Sequence, residues 1–108
     1  MAQTPEKKVK TKVEAILKDE QVYYFFPATG GYGRSGVPDI VACVNGVFIG
    51  IECKANGGKP TALQVRELER IRAAGGYAIV VNEENWDMVR PLIRKIKGTV
   101  MGGKPCAD

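Results

Sequence analysis

The feature that most constrains the fold of this chain is an Asn45-Gly46 pair between two apolar runs. Residues 39–44 (DIVACV) precede the pair, and residues 47–54 (VFIGIECK) follow it. Asn-Gly flanked by apolar runs is the strongest short-range signal for a β-hairpin. We therefore predict two antiparallel strands joined at this turn, near the middle of a 108-residue chain.

Further helix and strand signals surround this hairpin. Thr4-Pro5-Glu6 is typical of a helix start, since Thr can cap, Pro suits the first helical position and Glu favours the positive end of the helix dipole. The glycine-rich segment 28–37 is predicted to be a loop. The predicted elements are a first helix, strands over 21–26, 39–44 and 47–54, a helix from Thr61 to about Ala74, a strand over 77–81, and a helix from Asn82 to about Lys97 in which Pro91 could produce a kink.

This order of elements predicts one mixed α/β domain over residues 1–97, followed by a flexible tail over 98–108. No apolar stretch approaches the ~20 residues needed to span a bilayer. The lysine-rich N-terminus also lacks the apolar segment of a secretory signal. We therefore expect an intracellular, cytoplasmic protein with no membrane partner.

Charge is concentrated at the two ends of the chain, although the net charge is only +4. Basic residues dominate segments 1–13 and 90–108, where Glu6 and Asp108 are the only acids. Basic ends fit a polyanionic partner, and they fit solvated helix faces equally well. Both interpretations remain open at this point.

The residue types that are missing narrow the chemistry. The chain has no histidine and three cysteines without CxxC spacing, which argues against the usual zinc site. The absence of histidine also removes Ser-His and Cys-His catalysis.

The hairpin itself carries two acids and an amine. Glu52 and Lys54 share one face of their strand, and Asp39 lies about as far before the turn as Glu52 lies after it. The cluster could be a surface salt bridge of little energetic value. It could instead bind a divalent cation, because two adjacent carboxylates repel unless they are neutralised, and oxygen ligands suit Mg²⁺.

Pro38-Asp39, twelve intervening residues and Glu52-Cys53-Lys54 resemble the PD-(D/E)xK motif of a nuclease superfamily. The predicted order of elements is similar to that superfamily's restriction-endonuclease-like αβββαβ core, here with an added C-terminal helix. The lead-in over residues 33–39 (GRSGVPD) and the helical Gln64 resemble the virus-type replication-repair nuclease (VRR-NUC) family, over about residues 5–81.

The resemblance implies roles for individual residues. Asp39, Glu52 and the backbone carbonyl of Cys53 would bind the metal, with Glu14 of the first helix as an additional candidate. Lys54 would be the catalytic lysine, acting with Asp39, Glu52 and Gln64. Leu68 stands where the related QxxxY nucleases have tyrosine, so that motif is incomplete. In the loops, Arg34, Ser35 and Lys59 are candidate DNA contacts, because guanidinium, ammonium and backbone groups near glycines can approach phosphate.

The function implied by the resemblance is a Mg²⁺-dependent DNA endonuclease, with Mn²⁺ able to substitute. Short free-standing relatives resemble Holliday junction resolving enzymes, so the expected partner is branched DNA and the expected assembly is a homodimer. A phage or bacterial replication-repair gene would suit such a domain. The alternatives are a non-catalytic nucleic-acid-binding module, or a flap nuclease or exonuclease of the same fold.

Overall fold

The computed structural model describes residues 3–28 and 33–99. The elements are α1 (Pro5–Asp19), β1 (Tyr23–Phe25), β2 (Ile40–Val44), β3 (Val47–Cys53), α2 (Ala62–Ala73), β4 (Tyr77–Val81), a short 3₁₀ helix (Trp86–Met88) and α3 (Val89–Thr99). The predicted mixed α/β fold is confirmed. In the described part of the chain, no helix is long and apolar enough to cross a membrane.

The predicted hairpin forms at the predicted turn. Asn45 and Gly46 have φ angles of 50° and 83°, which is the left-handed pair that a type I′ turn requires. Strand β2 pairs antiparallel with β3 from Val44–Val47 at the turn to Ile40–Ile51 at the far end. The turn therefore fixes which residues of the two strands face each other at the opposite edge of the sheet.

The four strands lie in the order β1-β2-β3-β4. The first two pairings are antiparallel, whereas β4 runs parallel to β3 after a crossover through α2. The start of β2 and the ends of β3 and β4 consequently share one edge of the sheet. Side chains at this edge can converge from three strands.

The main core lies between one face of the sheet and helices α1 and α3. Alternate strand residues such as Ile40, Ile49 and Ile51 are buried there against the apolar stripe of α1. On the opposite face, a Cβ at Gly50 would lie 2.7 Å from Ile71 Cδ1 of α2 and 2.8 Å from Pro38 Cγ. Only a residue without a side chain permits this close approach of α2 to β3.

The starts of two predicted elements differ from the structure by two residues or more, and each has a local cause. Strand β1 begins at Tyr23 rather than at residue 21, because Gln21 has a φ of 58° and so belongs to the turn after α1. The final helix begins at Val89, after a turn and the 3₁₀ helix, rather than at residue 82. Pro91 lies in its first turn, where the missing N–H leaves no hydrogen bond unmade.

Helix α3 ends at Thr99, close to the predicted helix end at about Lys97. The rest of the predicted tail, residues 100–108, lies outside the described residues.

Basic residues of α3 hold this helix against the C-terminal end of α1, where Glu20 is the capping residue. Arg90 and Arg94 contact the Glu20 carboxylate at 2.6 and 3.1 Å, and the Lys97 ammonium donates to the Glu20 carbonyl at 2.7 Å. Although burial alone would raise it, the hydrogen bonds from Arg90 and Arg94 lower the pKa of Glu20 below its ordinary value. Three of the five basic residues in segment 90–108 are therefore engaged in contacts within the fold.

Candidate active site

The hairpin register brings the two predicted acids together. Ile40 pairs with Ile51, so the next position along each strand places Asp39 opposite Glu52. Asp39 Oδ2 accepts a hydrogen bond of 2.8 Å from the backbone N–H of Cys53. This bond, which the sequence did not predict, fixes the Asp39 carboxylate at the end of β3.

Glu52 is an ionisable group in an unusual position. It is only 1% exposed, and within the described chain neither carboxylate oxygen accepts a hydrogen bond. Burial, reinforced by the charge of Asp39 and partly offset by Lys54, raises the pKa of Glu52 to about 7. A buried carboxylate that lacks hydrogen-bond donors is costly unless another positive group neutralises it.

Lys54 supplies part of that neutralisation. Its Nζ atom lies 3.4 Å from Glu52 Oε2, and the side chain is 14% exposed. Its backbone N–H donates to the Val81 carbonyl at 2.9 Å, which extends the pairing of β3 with β4 by one residue. The ammonium is therefore held at the same sheet edge as the two acids.

A third carboxylate comes from a residue that the sequence analysis did not select. One oxygen each from Glu6, Asp39 and Glu52 lie within 4.8 Å of one another. The sequence pattern predicts for Glu6 only a favourable position at the positive end of the helix dipole. A signal was present, since Glu6 lies on the same helical stripe as the buried Val9 and Val13.

Glu14, the acid proposed for that place, contacts other groups. Its Oε2 accepts a hydrogen bond of 2.6 Å from the Tyr24 hydroxyl and lies 3.8 Å from Lys18 Nζ. This hydrogen bond and burial raise the pKa of Tyr24 to about 12. Glu14 still faces the cavity beside Asp39, but it is not among the three clustered carboxylates.

The donor set fits a hard divalent cation. Three carboxylates meet within a few ångströms, and the most buried of them has oxygens without hydrogen bonds. Mg²⁺ binds through a few carboxylates and retains several waters, which the partly exposed Glu6 and Asp39 would allow. A cation would also favour the ionised form of Glu52, whose pKa is raised first by burial and then by the charge of Asp39.

The remaining predicted site residues lie outside the cluster of three carboxylates. Gln64 closes a capping box at the start of α2, where its Oε1 accepts from the Thr61 N–H at 2.9 Å and its own N–H donates to Thr61 Oγ1. Ser35 and Lys59 are exposed in loops. Arg34 donates a 3.1 Å hydrogen bond to the buried carboxylate of Glu67.

The two described cysteines differ sharply in environment. Cys53 is fully buried, and burial together with the nearby Asp39 and Glu52 charges raises the pKa of its thiol to about 12. Cys43 lies exposed on β2, with its thiol free. The predicted contribution of Cys53 is its backbone carbonyl at the end of β3, and that role remains a prediction.

Comparison with known proteins agrees with this geometry. Residues 7–101 match the family described as archaeal Holliday junction resolvase (Hjc). The chain is 45% identical over 62 residues to p44, a candidate nuclease of Acyrthosiphon pisum secondary endosymbiont phage 1. The aligned segment covers 56% of this chain and 67% of p44. A solved structure described as a VRR-NUC domain has the same fold, with a TM-score of 0.64 at 24% identity over 90% of this chain and 98% of that one.

The fold is that of a VRR-NUC-like domain, and the family match together with the similarity to p44 places the chain in the nuclease class. Because the family match spans most of its length, the chain belongs to the archaeal Holliday junction resolvase family.

Proposed function

We propose that the protein is a Mg²⁺-dependent DNA endonuclease that hydrolyses phosphodiester bonds in branched DNA, as a Holliday junction resolvase does. The observation that carries the proposal is the buried Glu52, whose oxygens accept no hydrogen bond in the described structure and face two further carboxylates and an ammonium. A merely structural ion pair would not need three clustered carboxylates, of which, among the described residues, only Asp39 and Glu52 lie near a lysine, Lys10 and Lys54 respectively. Family membership and the nuclease relative support the same reaction class.

Asp39, Glu52 and Glu6 would hold the cation, with the Cys53 carbonyl as a further ligand and Glu14 as an outer acid. When bound, Mg²⁺ supplies positive charge beside the phosphate oxygens and makes water a better nucleophile; Mn²⁺, with the same oxygen preference, would substitute.

Lys54 is positioned to act on the reacting groups themselves. Its ammonium, held 3.4 Å from Glu52, would orient the attacking water and offset the negative charge that grows on the phosphate. The new O–P bond forms as the P–O3′ bond breaks, which leaves a 5′-phosphate and a 3′-hydroxyl that takes up a proton. Gln64 would contribute through its position at the start of α2, beside its capping role.

DNA contacts outside the cation site would be mainly to phosphates. Ser35 and Lys59 are exposed and free to approach the backbone, and Arg34 is 63% exposed although it pairs with Glu67. Such contacts give affinity with little sequence information, as recognition by DNA shape requires.

A homodimer would place two such sites on a four-way junction. The sheet offers a surface for pairing, because Tyr23, Cys43 and Phe48 are cross-strand neighbours and all are exposed. An exposed row with a cysteine between two aromatic side chains on an antiparallel sheet is typical of an interface. Light scattering coupled to gel filtration measures the assembly directly, and a monomer at micromolar concentration would exclude the dimer.

The test of function uses a labelled four-way junction, a flap and a linear duplex, each with Mg²⁺ or with chelator. We expect cation-dependent cutting that is fastest on the junction. Binding without cutting would favour the alternative of a non-catalytic module, and preference for the flap or for duplex ends would favour the other nuclease types.

Matched substitutions then test the residues. Asp39→Asn and Lys54→Ala should retain DNA binding and lose cutting by several orders of magnitude. Asp87→Asn and Lys95→Ala remove the same charges from exposed positions and should cut normally. If Asp39→Asn or Lys54→Ala cuts at the wild-type rate, the assigned roles are wrong.

A further inference from the structure

A cavity of about 310 Å³ opens beside Asp39, on the side of α1. One stripe of α1 supplies Lys7, Lys10 and Thr11, which face Phe26 across the opening. Asp39 belongs both to the wall of this cavity and to the acidic cluster. The cavity is therefore continuous with the proposed place of reaction.

The charges of this cavity depend on what Asp39 binds. Lys10 Nζ lies 3.8 Å from Asp39 Oδ1, so Lys10 balances that acid in the cation-free protein. Glu14 is already balanced by the Tyr24 hydroxyl and Lys18. A divalent cation bound to Asp39 would displace Lys10 from that carboxylate. Lys7, which makes no ion pair within residues 3–28 and 33–99, would add a second positive charge to the cavity.

Phe26 gives the cavity an apolar wall. Its side chain is 44% exposed, and its ring stands edge-on to Tyr24 with the centroids 6.0 Å apart. A ring that is held on one side and open on the other can stack against a nucleobase. Two ammonium groups beside an aromatic ring match the phosphate and base of one nucleotide.

We propose that this cavity binds the nucleotide next to the scissile phosphate, with its phosphate on Lys7 and Lys10 and its base against Phe26. The inference rests on the proposed function, because a strand with one phosphate at Asp39 must place a neighbouring nucleotide alongside. Nucleases that act on branched DNA can hold an unstacked nucleotide at low cost, since pairing is already interrupted at the branch.

The phosphate contact is tested by the salt dependence of junction binding, measured by fluorescence anisotropy in Ca²⁺, so that a cation can occupy Asp39, and in chelator as a second condition in which Lys10 stays paired with Asp39. The Lys7→Ala/Lys10→Ala double variant should lower the slope of log affinity against log salt by about 1 to 2, because each phosphate contact contributes ~0.9. The control double variant Lys8→Ala/Lys95→Ala removes two exposed lysines elsewhere. Equal slopes for the two double variants would overturn the phosphate contact.

The base contact is tested with DNA that lacks one base. After the wild-type cut position has been mapped, an abasic site is placed on either side of it. On one side, the abasic site should weaken binding by wild-type protein by about 5- to 150-fold, the usual range for one aromatic stacking contact. The abasic site should not weaken binding by Phe26→Ala any further, because Phe26→Ala already lacks the ring that contacts the base. Comparing the four combinations of protein and DNA as a double-mutant cycle isolates the contact between the ring and the base.

If the abasic site weakens DNA binding by Phe26→Ala as much as binding by wild-type protein, or weakens binding by neither protein, the base contact is absent. Thermal melting of Phe26→Ala and of the fold-conserving Phe26→Leu separates loss of stacking from loss of structure. If wild-type protein neither binds nor cuts any of the DNAs, the proposed function itself fails. If it cuts but the cavity variants match their controls, only the cavity assignment fails.

Discussion

Glu52→Gln should make the cation-free protein markedly less sensitive to pH. The substitution keeps the shape of the side chain and removes the ionisable group that burial and Asp39 make costly. In the folded protein this group has a pKa of about 7, whereas its ordinary value is 4.5. The folded state therefore binds a proton that the unfolded chain has already released between these two pH values.

The direction and size of this pH dependence follow from the linkage between proton binding and folding. A raised pKa in the folded state leaves the free energy of unfolding unchanged below pH 4.5, where the folded and unfolded states are both protonated. It lowers that free energy by the full amount above pH 7, where both states are ionised. The difference between 4.5 and about 7 corresponds to about 3 kcal/mol, since each pH unit is worth ~1.4 kcal/mol. Between pH 5 and pH 8, wild-type protein should lose about 2–3 kcal/mol of unfolding free energy relative to Glu52→Gln.

The measurement is urea unfolding in chelator at several pH values, for wild-type protein, Glu52→Gln and the exposed control Glu69→Gln. Effects of the substitution that do not depend on pH, such as the lost partner of Lys54, cancel when the pH profiles are compared. We expect Glu69→Gln to follow wild-type protein. Millimolar Mg²⁺ or Mn²⁺ should flatten the wild-type profile and leave that of Glu52→Gln unchanged, because only Glu52 exchanges its proton for the cation.

Parallel profiles for wild-type protein and Glu52→Gln, within about 0.5 kcal/mol, would refute the reasoning. Glu52 would then reach solvent or a donor group, and the main argument for a cation at this place would be lost.

Three further substitutions test the surroundings of the site by denaturant unfolding. Arg34→Ala should lower stability by about 1–3 kcal/mol, because it removes the hydrogen bond to the buried Glu67, and combining it with Glu67→Gln should restore part of the loss; an unchanged midpoint would mean that Glu67 is solvated. Gln64→Ala should cost about 0.5–1 kcal/mol by opening the capping box with Thr61, and a larger proportional loss of cutting than of stability would show an added role at the site. Gly50→Ala should cost about 1–3 kcal/mol, since its Cβ would clash with the helix and loop packed on β3, and wild-type stability would contradict that packing.

The hairpin shows how much of the site was already present in the sequence. Asn45-Gly46 specified the turn, the turn specified the register, and the register placed Asp39 opposite Glu52. Strand alternation then put Lys54 beside Glu52. Each step is local, so it could be made from the order of residues alone.

Contacts between distant segments could not be predicted in the same way. Which acid of α1 reaches the cluster depends on the position of the helix along the sheet. Glu6 and Glu14 lie about two turns apart, so a different position of the helix would bring Glu14 to the cluster instead of Glu6. The pairing of Arg90 and Arg94 with Glu20 likewise joins segments about 70 residues apart. Charge counts along the chain therefore overstated how much of the basic C-terminal segment is available to a polyanion.

The contrast between the two described cysteines has a practical consequence. The Cys43 thiol is open to a maleimide dye, whereas the Cys53 thiol, enclosed in the core with a pKa of about 12, should not react in the folded protein. With Cys106 replaced by serine, a single fluorophore would report from a strand position about 13 Å along β2 from Asp39. Because Cys43 lies between Tyr23 and Phe48 on the face proposed for pairing, slow labelling of this thiol in the assembled protein would report that the face is covered, without altering any residue that holds the cation.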